Sequence, residues 1–208
     1  MIKSTPEITV VVTGVANLAS VLAAWRRLGA SPRVTEDPDE VRRADRVELP
    51  GVGSFGAAMD RLRVTGLDAA LADRVQSGRP TLAICVGLQV LCDASEESPG
   101  VTGMGLVPGT VGRFPGHVRV PQFGWNSVDA PAGGPIESGY AYFANSYRLP
   151  AAPAGWAAAT TDHGGPFVSA LWRGDVLACQ FHPELSGSWG LAMLSRWMRG
   201  EVAPGGSL

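Results

Sequence analysis

Short apolar runs alternate with amphipathic segments through the first half of the chain. Residues 8–12 are rich in β-branched side chains, as in a buried strand, whereas apolar residues recur at helical spacing across residues 18–28. The same alternation predicts further strands at residues 33–35, 46–49 and 81–84, a short helix that opens at Asp37 and Pro38, and a longer helix over residues 57–76. Elements in this order predict a mostly parallel sheet with flanking helices.

The pattern changes after Ser95, where glycine and proline interrupt short apolar runs. Strands are predicted at residues 119–120, 140–147 and 167–172, which indicates β-hairpins added beside the parallel sheet. A late strand at residues 176–181 and a closing helix at residues 190–199 follow. We therefore expect one α/β domain over residues 1–200 and a flexible tail at residues 201–208.

The composition fits one globular domain and narrows the choice of partners. The chain has 208 residues, is 45% hydrophobic, and carries a formal net charge of -2 without a run of like charges. No segment has the length of a membrane span or the pattern of a secretion signal, and the three cysteines form neither a CxxC pair nor an even set. We expect a cytoplasmic protein with reduced thiols that binds neither nucleic acid nor a membrane.

Cys85 follows the predicted strand at residues 81–84 directly and opens a helical stretch. A nucleophile at such a tight turn is held above the sheet, and the positive end of the helix favours its thiolate. Small residues flank the turn, although Ala83 stands where glycine would be the more usual residue. A buried cysteine that packs as a small apolar side chain is the structural alternative. Cys92, seven residues on and so on the same helical face, and Cys179 are expected in the core.

A thiol nucleophile needs a base within hydrogen-bond reach, and a third group to orient that base. His182 and Glu184 follow a predicted strand and are separated by one proline, so an extended segment would point both side chains the same way. His117 and His163 lie in loops rich in glycine and proline without such a carboxylate, and we expect them to be exposed. The residues together indicate a Cys, His and Glu triad.

Two motifs resemble the class I, triad-type glutamine amidotransferases: Ile84-Cys85-Val86-Gly87-Leu88-Gln89 and Gln180-Phe181-His182-Pro183-Glu184. Further segments are similar to the glutaminase subunit of imidazole glycerol phosphate synthase, and together they cover almost the whole chain. These segments are Gly14-Val15-Ala16-Asn17-Leu18, Leu49-Pro50-Gly51-Val52-Gly53-Ser54-Phe55, Ser95-Glu96-Glu97, Gly105-Leu106-Val107-Pro108-Gly109, Val120-Pro121-Gln122-Phe123-Gly124-Trp125-Asn126 and Tyr142-Phe143-Ala144-Asn145-Ser146-Tyr147.

The resemblance implies a flavodoxin-like domain that hydrolyses glutamine through a cysteine thioester, without a metal or other cofactor. It implies a heterodimer with a (β/α)8 cyclase subunit, which would use the ammonia to form imidazole glycerol phosphate and an aminoimidazole carboxamide ribotide in histidine biosynthesis. The alternatives are a glutaminase that serves another synthase, such as the one that makes pyridoxal phosphate, and a catalytically silent regulatory subunit. Trp125 and its neighbours argue against the pyridoxal phosphate case, and the intact triad argues against the silent subunit.

The resemblance also implies roles for individual residues. The backbone N–H groups of an oxyanion hole would come from Gly51, Val52, Gly53 and Val86. The amino-acid end of glutamine would be bound by Gln89, Glu96, Ser146 and Tyr147. The partner interface or the ammonia passage would include Asn17, Trp125 and Tyr142. Glycines would let the oxyanion loop reorient when a partner binds. A plain flexible turn at this loop, a backbone cap by Gln89 and a solvated Glu96 are the structural alternatives.

The chain departs from the family pattern at several positions. Val12-Thr13-Gly14 stands where the family commonly has Asp-Tyr-Gly, and Leu185 stands where it has lysine. Both lie near the expected partner-facing mouth, so they bear on docking and ammonia passage rather than on hydrolysis. Gln122 and Asn145 replace histidines that many members carry, and both can form hydrogen bonds in the same places.

Overall fold

A seven-stranded sheet forms the centre of the computed structural model, which describes residues 5–12 and 17–201. The strands are β1 (Glu7–Val11), β2 (Ser31–Thr35), β3 (Val47–Gly51), β4 (Thr81–Cys85), β5 (Cys92–Ser95), β6 (Val107–Arg113), β7 (Gln122–Val128), β8 (Gly139–Asn145), β9 (Tyr147–Arg148), β10 (Ala157–Asp162), β11 (Pro166–Arg173) and β12 (Val176–Cys179). The helices are α1 (Leu18–Arg27), α2 (Pro38–Arg43), α3 (Phe55–Thr65), α4 (Leu67–Gln76), α5 (Val86–Val90) and α6 (Gly187–Arg199), and a 3-10 turn spans Pro183–Leu185.

The sheet order brings the ends of three central strands to one edge. The order is β10-β11-β12-β4-β3-β1-β2, in which β12, β4, β3, β1 and β2 run parallel. Gly51, at the end of β3, pairs with Cys85, at the end of β4, and β12 ends beside them. Parallel sheets bind ligands at this carboxyl edge. The predicted α/β class with a mostly parallel sheet is confirmed.

Two smaller sheets stand beside the large one in the described residues, and one of them, β7–β8, is a hairpin of the kind that the sequence predicts, whereas β5 and β6 pair in parallel. β7 and β8 form an antiparallel hairpin, and β5, β6 and β9 form a three-stranded sheet. The predicted strand at residues 119–120 is wrong, because these residues lie in the loop before β7. Pairing begins only at Gln122, since Pro121 has no N–H to donate to a ladder.

Two predicted helices end earlier than the sequence suggests. Residues 57–76 divide into α3 and α4 at Gly66, whose φ of 72° suits the left-handed cap that ends a helix. The helix after Cys85 ends at Val90, so Cys92 begins β5 and does not lie on the same helical face as Cys85. Cys92 and Cys179 are buried, as expected.

The ionisable side chains of Arg74 and Glu48 are buried in the packing around the large sheet. Arg74 donates to the carbonyls of Val41, Ala44, Asp45 and Pro80, so it holds the end of α2 to the start of β4. Glu48, on β3, accepts a hydrogen bond from the Trp25 indole of α1. Burial lowers the pKa of Arg74 to about 10 and raises the pKa of Glu48 to about 8.

The tryptophans divide between core and surface. Trp25, Trp156, Trp172 and Trp197 are buried and Trp189 packs against the core, as expected, whereas Trp125 is exposed. Within residues 5–12 and 17–201, no helix is long and apolar enough to cross a membrane. The predicted tail from residue 202 onward lies outside the described residues.

Candidate active site

Cys85 occupies a strained turn between β4 and α5. Its φ of 56° and ψ of -110° are unusual for a residue with a side chain, and strain of this kind is found preferentially at functional sites. Two glycines make the turn possible. A Cβ on Gly87 would lie 2.2 Å from the carbonyl oxygen of Leu49, and a Cβ on Gly51 would lie 2.4 Å from the amide nitrogen of Gly87. The end of β3 therefore packs backbone to backbone against the Cys85 turn.

His182 connects Cys85 to Glu184. Its Nδ1 lies 2.9 Å from Glu184 Oε1, and because the ionised carboxylate can only accept, Nδ1 carries the proton and Nε2 is left for the sulfur. The two residues meet through the 3-10 turn that begins at Pro183, and not through the extended segment expected from the sequence. The turn is tied down because Ser186 Oγ donates to the His182 carbonyl over 2.6 Å.

The environment of His182 favours the protonated ring. Burial alone lowers its pKa, but hydrogen bonds with Cys85 and Glu184 outweigh that effect and raise the pKa to about 10. The His182 side chain is 8% exposed, so these partners are poorly screened by solvent. An imidazolium beside the sulfur at neutral pH can donate a proton to a leaving amine.

A chain of buried amides leads from Cys85 into the small sheet. Gln180 Nε2 lies 3.6 Å from Cys85 Sγ, and Gln180 Oε1 accepts from Gln89 Nε2 over 3.0 Å. Gln89 Nε2 also donates to the Tyr147 carbonyl over 3.2 Å. Sequence reasoning gave Gln180 no role of its own. Its spacing of two residues from His182 was the available signal, since alternate residues of an extended chain face the same side.

The residues predicted to hold glutamine come together from separate elements. Glu96 Oε2 accepts from the Arg113 backbone N–H over 2.8 Å, and Arg113 pairs with Tyr147 between β6 and β9. Tyr147 in turn meets Gln89 through its carbonyl. Ser146 precedes Tyr147 and is half-buried. Glu96 is thus linked to Tyr147 through Arg113, and Tyr147 contacts Gln89 directly.

The residues predicted at the partner interface lie partly on an aromatic surface, defined here by Phe123, Trp125 and Tyr140. Their exposed fractions are 73%, 58% and 66%. Tyr142 packs edge-on against Trp125 with the ring centroids 6.2 Å apart, and its carbonyl accepts from the His182 N–H over 2.8 Å.

The remaining predicted positions that the structure describes lie on the surface or in the β7–β8 hairpin. Asn17 caps α1, and Thr13 lies outside the described residues. Of the two other histidines, His117 is exposed, whereas His163 is half-buried against Phe114. Gln122 and Asn145 face each other across β7 and β8, and both are buried. Asn145 Nδ2 donates to the Tyr147 carbonyl. The Gln122 amide has no hydrogen-bond partner in the part of the chain that the structure describes.

Comparison with known proteins identifies the family. A family described as CobB/CobQ-like glutamine amidotransferase domain matches residues 25–120. The imidazole glycerol phosphate synthase subunit HisH of Deinococcus radiodurans is 41% identical, over 98% of this chain and 97% of that protein. HisH of Thermus thermophilus is 43% identical, over 88% and 91%. The chloroplastic imidazole glycerol phosphate synthase hisHF of Arabidopsis thaliana is 41% identical, over 92% of this chain and 34% of that longer protein.

Solved structures agree on the fold. A crystal structure of a glutamine amidotransferase superposes with a TM-score of 0.74 at 19% identity, over 92% of this chain and 98% of that one. The structure of PurLQS from Thermotoga maritima gives a TM-score of 0.73 at 18% identity, over 94% and 98%. The relatives that match almost the whole chain are subunits of imidazole glycerol phosphate synthase, which favours this synthase over another synthase or a silent subunit. The chain belongs to the family of the imidazole glycerol phosphate synthase subunit HisH, within the glutamine amidotransferases.

Proposed function

We propose that the chain hydrolyses the side-chain amide of glutamine with Cys85 as nucleophile, His182 as general acid and base, and Glu184 as the group that orients His182. The observation that carries this proposal is the position of His182. Its Nδ1 lies 2.9 Å from Glu184 Oε1, and Cys85 is close enough to the ring to raise the pKa of His182. This is the nucleophile, base and orienting group of thiol-dependent acyl transfer.

The reaction has two halves. In the first, the Cys85 thiolate bonds to the amide carbon, and the C–N bond breaks as His182 donates a proton to the departing ammonia. In the second, His182 takes a proton from water, the water oxygen attacks the thioester carbon, and the C–S bond breaks to release glutamate and restore the thiolate. The raised pKa of His182, about 10, keeps the ring protonated for the first transfer.

We place the oxyanion hole where the loop after β3 meets the Cys85 turn. Its donors are the N–H groups of Gly51, Val52, Gly53 and Val86. Support comes from the backbone approach of Gly51 to Gly87, which leaves no space for a side chain and holds the end of β3 beside the Cys85 turn. Gly53, with a φ of 94°, gives the loop a conformation that side chains disfavour. A partner-dependent turn of the Gly51-Val52 peptide would open or close this hole.

The amino-acid end of glutamine would lie among Gln89, Glu96, Ser146 and Tyr147. Both amide hydrogens of Gln89 are directed to Gln180 and to the Tyr147 carbonyl, so Gln89 has only its oxygen left for a ligand. An oxygen acceptor and the nearby Glu96 carboxylate both suit the α-ammonium group of glutamine. The link from Glu96 through Arg113 to Tyr147, and the contact of Tyr147 with Gln89, support one binding site.

We propose that the ammonia passes to a (β/α)8 cyclase subunit in a heterodimer. The relatives are named as subunits of a synthase, and the longer Arabidopsis protein carries the combined name hisHF. The aromatic surface supports this location for the partner, because exposed aromatic side chains are enriched at interfaces. Tyr142 links that surface to His182 directly. Asn17 and the half-exposed Leu185 are placed at the same mouth by family resemblance alone.

The test uses the chain co-purified with the cyclase subunit of its own organism. Cys85→Ser should abolish glutamine-dependent synthesis and leave ammonia-dependent synthesis intact, because the substitution alters the nucleophile and not the interface. Both activities are measured on the same preparation. Retained glutaminase activity in Cys85→Ser would refute the assignment, and loss of both activities would show that Cys85 is structural.

A further inference from the structure

Gln180 is a fully buried amide that touches the proposed nucleophile. Its Nε2 lies 3.6 Å from Cys85 Sγ, which is hydrogen-bonding distance for a sulfur acceptor. His182, two residues later, contacts the same sulfur. One short segment after β12 therefore supplies two groups that converge on Cys85, and only one of them, His182, has a role in the proposed reaction.

The direction of the Gln180 amide is set by a backbone carbonyl. The carbonyl of Tyr147 can only accept, so the nitrogen of Gln89, 3.2 Å away, must face it. The same nitrogen donates to Gln180 Oε1 over 3.0 Å. The oxygen of Gln180 is thereby committed to Gln89, and its nitrogen is turned toward the sulfur. Asn145 Nδ2 also donates to the Tyr147 carbonyl, over 2.9 Å, which holds this anchor in place.

We propose that Gln180 stabilises and aims the Cys85 thiolate by donating an N–H to the sulfur. The proposal rests on the proposed function, in which Cys85 is the nucleophile. A hydrogen bond to an ionised acceptor is stronger than one between neutral groups, and burial keeps water from replacing it. Unlike His182, Gln180 does not exchange protons during the reaction. It can therefore hold the sulfur both before attack on the amide and when the thioester breaks.

The test compares Gln180→Met with the unchanged chain. Methionine has nearly the same length and shape but no donor. Iodoacetamide alkylation of Cys85 is followed by mass spectrometry of its peptide across pH 5 to 9. Burial raises the pKa of Cys92 to about 12 and that of Cys179 well above its ordinary range, so these thiols should react slowly. We expect alkylation of Cys85 at pH 7 to be about tenfold slower in Gln180→Met, with the pH profile displaced upward.

Steady-state glutaminase kinetics of the complex with the cyclase give a second measurement. Gln180→Met should lower kcat about tenfold, because the lost donor acts on the nucleophile. Gln122→Met is the matched control. Gln122 is also a buried glutamine, but it has no hydrogen bond to Cys85 within the described residues, so the Cys85 alkylation profile should stay as it is in the unchanged chain.

The outcomes separate this proposal from the function on which it rests. If Gln180→Met keeps the alkylation rate and the kcat of the unchanged chain while Cys85→Ser is inactive, Gln180 does not have the proposed role. The assignment of Cys85 as the nucleophile would then still stand. Glutaminase activity in Cys85→Ser would overturn the nucleophile itself. If Gln180→Met does not fold, Gln180→Glu keeps the size of the side chain and replaces the donor by a carboxylate. Alkylation of Cys85 in that variant should again be slower at neutral pH, and an unchanged rate would count against the proposal.

Discussion

Replacing Glu48 by glutamine should stabilise the protein, and the gain should grow as the pH rises. Glu48 is 1% exposed, and burial raises its pKa from 4.5 to about 8, a shift equivalent to about 5 kcal/mol. Between these two pH values the folded chain keeps a proton that the unfolded chain has lost. The free energy of unfolding therefore falls with rising pH, by about 1.4 kcal/mol per pH unit, until the folded carboxyl also ionises near pH 8.

The Glu48→Gln substitution removes this pH dependence of the free energy of unfolding with little change in the shape of the side chain. The amide oxygen can still accept the hydrogen bond from the Trp25 indole. Urea unfolding of both proteins at pH 5, 6, 7, 8 and 9 gives the stability difference, in which other titrations largely cancel. The difference should rise by several kcal/mol between pH 5 and 8 and then level off. Glu7→Gln, at the exposed start of β1, is the control and is measured in the same way. A flat profile for Glu48→Gln would refute the reasoning.

Three further predictions concern the site and its partner. His182→Ala should lower the glutaminase turnover of the complex by at least roughly 10²–10⁴-fold and Glu184→Gln by less, because the first removes the proton carrier and the second only its orientation; the reverse order would contradict these roles. Gly51→Ala should lower glutaminase turnover about 10²–10³-fold without weakening assembly with the cyclase. The reason is that its methyl group would lie 2.4 Å from the Gly87 nitrogen and displace the proposed oxyanion loop. An unchanged rate of glutamate release would contradict this prediction. Trp125→Ala should weaken binding to the cyclase about tenfold or more, as measured by calorimetry. Val64→Ala, on an 82% exposed side chain of α3, is the control and should not weaken binding. Equal binding constants for Trp125→Ala and the unchanged chain would exclude Trp125 from the interface.

The sequence by itself determined the fold class and the strands that carry the site. The largely apolar residues 8–12 and 81–84 correspond to β1 and β4, because buried parallel strands need apolar residues on both faces. Residues 46–49 correspond to β3 although they include Arg46 and Glu48. The order of elements was therefore readable from periodicity alone. The triad, oxyanion and glutamine-binding residues were also named from motifs, and their roles stay predictions until the variants are measured.

Only the tertiary structure decided how distant segments meet. The break at Gly66 and the 3-10 turn at Pro183 override patterns that read as one long helix and an extended segment, because caps and packing outweigh local propensity. Glu48 lies in a strand that the sequence predicts, yet its burial depends on α1 packing over it. Gln180 gains its direction from Gln89 and Tyr147, which are 91 and 33 residues away in the chain. A linear pattern records the periodicity of each segment, whereas burial and hydrogen-bond partners arise only when the segments pack together.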